Sequence, residues 1–329
     1  MFSLSPQVKH WLEKAQVQAV AAAAFVGMWF LGWPVVRPWD PQAALTFIPN
    51  GQWAELAGFA ALLWLLAAIA AVATRSARGE GALLATMVGA AALSLHAGPF
   101  RTWYFTAGPR GIFAALALET LAMGGILAGT AVIVTLIRGI FGRLLPGWVW
   151  KEAPEGTPEE PDKGAGADGD AGRAAKAGFE GLVASLRQSL RPRRIGPMHN
   201  LACLVMELAV ATILLVITCR SPLKGQVAFA LAASFFLAAL AAHQTYPVRS
   251  AAACWLGPIV MGAIVFALGC LSTGSAVGPE WHHHLYVAED LPLRAAVPVD
   301  WMAFGAAGAI GGYWLSRRML HARAQKEDD

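Results

Sequence analysis

A chain of 329 residues that is 57% hydrophobic and only 14% charged cannot cover a soluble surface of that size. Its formal net charge of +4 could suggest nucleic acid. The basic residues, however, flank apolar segments or crowd into one connector, where membrane topology accounts for them. Composition therefore excludes a soluble globular protein and argues against a nucleic-acid partner.

The apolar segments come in two groups of four. Span one covers about 19–36, after Lys9 and Lys14. Trp33-Pro34 and Arg37 follow its core where a signal peptide would show a small-residue cleavage motif, so it is expected to be an uncleaved helix. Span two covers about 55–73, span three about 81–100 and span four about 111–137. After the connector, span five covers about 200–218, span six about 226–242, span seven about 251–271 and a short span eight about 299–315. Each is close to the ~20 residues that a bilayer core requires, and only helices satisfy their own backbone in lipid. The fold class is thus an all-α integral membrane protein: eight transmembrane helices in two four-helix halves, 1–145 and 197–329, joined by a cytoplasmic connector, 146–196. An outer loop, 272–298, precedes span eight.

The connector has two parts of opposite charge. Lys151–Gly172 carries seven acids against Lys151 and Lys163, has no apolar run and is expected to be disordered. In 173–191, Phe179, Leu182, Val183, Leu186 and Leu190 recur at helical spacing, with arginines between them. This predicts a basic amphipathic helix lying on anionic lipid headgroups.

Positive charge orients the spans. With the N-terminus inside, only Arg37, Arg101, Arg110, Arg220, Lys224 and Arg294 of the 25 basic residues fall outside. Both termini are therefore expected in the cytoplasm, the membrane being a bacterial inner (cytoplasmic) membrane. Trp33, Trp39, Trp53, Trp103, Trp281 and Trp301 would then mark the outer interface. Gly125-x-x-x-Gly129 and Gly308-x-x-x-Gly312 offer small-residue seams in the last span of each half.

Two carboxylates stand out as binding candidates. Glu119 lies about eight residues in from the outer end of span four, and Glu207 about eight in from the inner end of span five. At ~1.5 Å per residue both are about 12 Å deep, so in a ~30 Å core their depths differ by only about 6 Å. Ionisable groups there mark ion or proton paths by default. The bland alternative is a neutral acid donating to a backbone carbonyl or to a threonine such as Thr120 or Thr212.

The outer end of span three adds His96 and Arg101. The run Leu95-His96-Ala97-Gly98, then Arg101, then Glu119, resembles the quinol-site region of polysulfide-reductase-type membrane anchors. The resemblance leaves the second half unmatched. It implies that His96 and Glu119 form a protonatable pair at a quinone ring, without haem.

The outer loop holds Trp281-His282-His283-His284, then Glu289 and Asp290. In an extended chain His282 and His284 share a side, and with Glu289 they could hold a divalent metal. Four cysteines show none of the close pairings of zinc or haem sites. Cys203 and Cys254 lie at inner ends, Cys219 and Cys270 at outer ends. Sixteen helical steps turn a face by about 160°, so both pairs cannot meet along one seam. If either bridges, it is Cys219 with Cys270, facing the oxidising side. His243 is expected at the inner interface with a satisfied hydrogen bond.

No catalytic or nucleotide-binding motif is present. Two function classes follow. One is a small-solute or ion transporter, proton-coupled through the buried carboxylates. The other is a non-transporting anchor or scaffold subunit, quinol-binding or docking a protein partner or a second copy. No cofactor is required by either, beyond the quinone or divalent metal named above.

Overall fold

Apolar segments of this length must close their backbone hydrogen bonds internally, and helices do so. The computed structural model describes residues 6–38, 43–74, 79–98, 109–144, 197–248, 251–272 and 292–328. Among the described residues there is helix and no strand.

The chain opens with α1 (Pro6–Gly27), which continues through a π-helical turn (Met28–Gly32) into α2 (Trp33–Val36). Then come α3 (Trp53–Ala73), α4 (Glu80–His96) and α5 (Pro109–Leu144). The second part has α6 (Pro197–Thr218), α7 (Lys224–Thr245), α8 (Ala252–Trp255) and α9 (Gly257–Ser272). A 3-10 turn (Pro292–Ala295) leads to α10 (Pro298–Asp300), a second π-helical turn (Trp301–Gly305) and α11 (Ala306–Asp328).

Among the described residues six stretches are long and apolar enough to cross a membrane: Trp11–Val36, Trp53–Ala73, Gly111–Gly142, Met198–Thr218, Lys224–Thr245 and Ala252–Leu271. This is the architecture of a helical membrane protein. The other two predicted spans, α4 and the helix from α10 to α11, are the most enclosed. Thirteen of the 17 residues of α4 are buried, and so is every residue from Ala295 to Ala306. Surrounding helices present Leu65, Ile69, Ile213, Val216 and Phe229 outward. A helix walled in by others needs no such coat, so α4 can be built from Ala, Gly, Thr and Ser.

Lipid tails are as apolar as leucine, so apolar contact alone does not hold helices together in a bilayer. Close approach does. Gly308 and Gly312 of α11 lie on α7, where a Cβ on either would strike the carbonyl oxygen of Ala232 or Phe236. This glycine seam is used as predicted. The one in α5 is not: Gly125 faces open space, while Gly129 packs on the Trp64 indole. Trp301 also differs from expectation. It is fully buried, edge-on to Phe235 and against Gly262, and is no interface residue.

The helices pack within and across the sequence halves. α1 lies on α4, and α5 lies between α3 and α9. α6 lies on α7, and the Trp301–Gly305 turn lies on both α4 and α7.

Candidate functional site

Glu119 is fully buried on α5. Its Oε2 accepts the backbone N–H of Phe47 and of Ile48, each at 2.9 Å. The reason lies in the segment it touches. Ala44, Leu45, Thr46 and Phe47 are fully buried yet not helical. Irregular backbone at membrane depth needs protein partners for its N–H groups. Glu119 supplies two, and the Ala43 carbonyl accepts Gly98 N–H at 3.0 Å. Thr120 is not its partner, for that hydroxyl donates to the Leu116 carbonyl at 2.8 Å.

Glu207 is equally buried on α6, but neither of its carboxyl oxygens has a hydrogen-bond partner. Thr212 donates to Leu208 instead. The Glu207 carboxyl lies against Gly257, where an added Cβ would come within 2.9 Å of Cδ. Gly257 opens α9, just after α8 ends at Trp255. Pro258 has no N–H to offer the Cys254 carbonyl four residues back, which is why the helix breaks here.

The two carboxylates do not converge. Phe113 of α5 packs on Gly269 of α9, and Gly124 on Ile259. That antiparallel register sets Glu119 level with about residue 264 and Glu207 level with 257, about 10 Å apart along the axis. They share no partner.

His96 ends α4 and packs against two indoles, Trp33 at 4.3 Å and Trp29 at 4.5 Å between ring centroids. Trp29 lies within the π-helical turn and Trp33 directly after it. His96 Nδ1 is buried without a partner. Glu119 is spent on the Phe47 segment rather than on His96.

Two polar contacts were not anticipated from sequence. Asp300, fully buried, accepts from Ser94 Oγ through Oδ1, from Lys224 Nζ at 2.8 Å and, through Oδ2, from Val297 N–H at 3.0 Å. This joins α4, α7 and α10 near the His96 end. At the opposite end Arg317 Nη1 donates to both oxygens of Glu80, at 2.9 and 3.1 Å, joining α11 to α4. The signal for the first was an acid at the second position of span eight and a lysine just before span six.

No family model matches the chain, and no curated protein or solved structure matches it either. The site must therefore be judged on its own geometry.

Cys219 and Cys270 are not bridged, and none of the four cysteines is in a disulfide. Cys203 on α6 and Cys254 on α8 are both fully buried, and α8 packs on α6. Cys254 lies on the short α8 before the Pro258 break, so the two cysteines of that region do not lie on one straight helix. His243 is buried, with Nδ1 2.8 Å from Ser316 Oγ and Nε2 3.0 Å from the Val248 carbonyl. Its hydrogen bonding is satisfied, inside the bundle rather than at an interface. Among the described residues no group of three or more His, Cys, Asp or Glu could hold a metal ion. Arg101, His282, His284, Glu289 and the connector helix 173–191 lie outside the described residues.

Proposed function

We propose that this chain is a membrane transporter for a small solute or ion, with Glu207 as its proton- or cation-binding group. One observation carries this: a fully buried carboxyl on a helix of spanning length has neither oxygen partnered. Such a group is costly in a bilayer and by default belongs to an ion path. Its position against the α8–α9 break supports the reading, because interrupted helices are where transporters bind their cargo. Glu119 has a different role in this proposal, holding the buried Phe47 segment. The topology that goes with it is eight spans in two halves, both termini cytoplasmic in a bacterial inner membrane. The connector helix would rest on anionic headgroups.

A second reading is a non-transporting anchor or scaffold for a partner or a second copy. It is favoured by the engagement of Glu119 Oε2 with Phe47 and Ile48, which gives that carboxyl a structural role. Proteoliposomes enclosing a pH-sensitive dye separate the two under an imposed pH gradient. Transport predicts flux in wild type that persists in folded Glu119→Gln and is lost in Glu207→Gln. Tight vesicles throughout would favour the anchor.

A further inference from the structure

Among the described residues, the elements packed against α6, which carries Glu207, are α7, α8 and α9. Their titratable side chains are Lys224 and His243 on α7, Cys254 on α8 and Cys270 on α9, and α6 itself adds His199 and Cys203. Lys224 is paired with Asp300, and His243 is bonded to Ser316 and to the Val248 carbonyl. None of these groups donates a hydrogen bond to either oxygen of Glu207, which is 0% exposed. The carboxyl instead lies face-on against Gly257. A Cβ there would be 2.9 Å from Cδ, 3.0 Å from Oε1 and 3.1 Å from Oε2. Glycine is the residue that permits so close an approach to the backbone.

We propose that the ion held at Glu207 is a proton, on a carboxyl seated by Gly257 beside the α8–α9 break. The donor set decides between a proton and a metal cation. Hard cations take several oxygen ligands at once. Glu207 brings only its own two oxygens, and among the described residues no group of three or more His, Cys, Asp or Glu could hold a metal ion. A bare carboxylate in a dry interior costs far more than a neutral acid, so such a group takes up a proton rather than stay charged. Loading forms one O–H bond between a proton from water and a Glu207 oxygen. Release breaks that bond, and no electrons are exchanged. A carboxyl without exposure exchanges its proton only in an arrangement that admits water. The break is the place for such a change, because Pro258 cannot donate to the turn before it. Pro258 also packs on Gly305, the last residue of the second π-helical turn. Two irregular helical segments thus meet next to Gly257, and in this proposal their movement opens the carboxyl to water.

The assignment deepens the transport reading and rests on it for the movement of the proton, though not for its binding. Its test is infrared spectroscopy of the full chain in detergent at neutral pH, each variant being checked for folding by thermal melting. Wild type should show a C=O stretch at the high-frequency end of the carboxylic-acid range, where an acid without hydrogen bonds absorbs. The band should shift down in D2O, be lost in Glu207→Gln and persist in Glu119→Gln. Exchanging choline for sodium or magnesium should leave it unchanged. Gly257→Ala should fold, since the atoms its methyl meets end a flexible side chain, and should shift the band. Gly125→Ala, at a position facing open space, should not. No such band, a band that survives Glu207→Gln, or one that sodium or magnesium abolishes would overturn the proposal. A band unmoved in Gly257→Ala would overturn the role given to Gly257. Should Glu207→Gln fail to fold, a membrane-soluble carbodiimide, which attacks protonated carboxyls, decides on wild type. Label mapped to Glu207 by peptide mass spectrometry and indifferent to sodium supports the proton. No label there, or protection by sodium, refutes it. A Glu207 proton without flux in proteoliposomes would remove the transport reading and leave the assignment standing. Sodium flux with a sodium-sensitive band would do the reverse.

Discussion

Single residues divide into those that hold the fold and those that are held without a partner. Asp300 belongs to the first kind. It is a buried anion with Ser94, Lys224 and the Val297 N–H around it. Removing one partner of a buried ion pair typically costs about 3–5 kcal/mol. Lys224 keeps 16% of its side chain exposed, so water screens part of the pair and the low end of that range applies. Lys224→Met should lower the melting temperature in detergent, and pairing it with Asp300→Leu should recover much of the loss. Glu119 is also of the first kind. Glu119→Gln keeps an acceptor for the Phe47 and Ile48 N–H groups and should fold. Glu119→Leu leaves the buried Phe47 N–H bare, at about 1–3 kcal/mol, together with the half-buried Ile48 N–H, and should melt measurably earlier. Cys219, just beyond α6, shows how burial governs reactivity. Burial pushes its thiol up to about 11. The thiolate is the reactive form, so at pH 8 only on the order of 0.1% of it can attack. Its alkylation should be slow there and rise about tenfold per pH unit until the pH nears that value. Fast modification at pH 8 would show that Cys219 is more exposed than described. The sequence made Glu119 and Glu207 visible, since an acid in an apolar run is conspicuous. It could not tell them apart. Glu119 is engaged by residues 71 and 72 positions away, and no local pattern records such a partner.

Elements were legible wherever hydropathy alone decides. Spans two, five and seven match α3, α6 and the α8–α9 pair closely. Helix ends were less legible. α1 begins at Pro6 and α11 runs to Asp328, because helices continue beyond the apolar stretch that a bilayer demands. The α8–α9 break was signalled by Gly257-Pro258 but hidden inside a continuous apolar run. Seams were half legible, because spacing identifies a small-residue row without saying which face meets a neighbour. Gly308 and Gly312 meet the α7 backbone, and Gly125 meets nothing. Gly308→Val or Gly312→Val should therefore push α11 off α7 and abolish a stable, monodisperse detergent extract. Gly125→Ala should leave the extract unchanged. Equal tolerance of both by size-exclusion chromatography would contradict the described α7–α11 contact.

At the scale of the molecule, six helices among the described residues have the length and apolarity to cross a membrane. In the proposed eight-span topology α4 and the helix from α10 to α11 are two further crossings, able to carry polar groups because they are enclosed. Their polar groups support this. Ser94 at one end of α4 reaches Asp300, and Glu80 at the other end reaches Arg317. The two helices are thus tied together at both ends, antiparallel in sequence and side by side in the core. The most direct test places paired reporters, one active only in the cytoplasm and one only outside it, after residue 77 and after residue 104 in separate full-length fusions. If α4 crosses, the two positions report opposite sides, cytoplasmic at 77 and external at 104. The same side at both positions would mean that α4 does not span, and the eight-span account would fall with it.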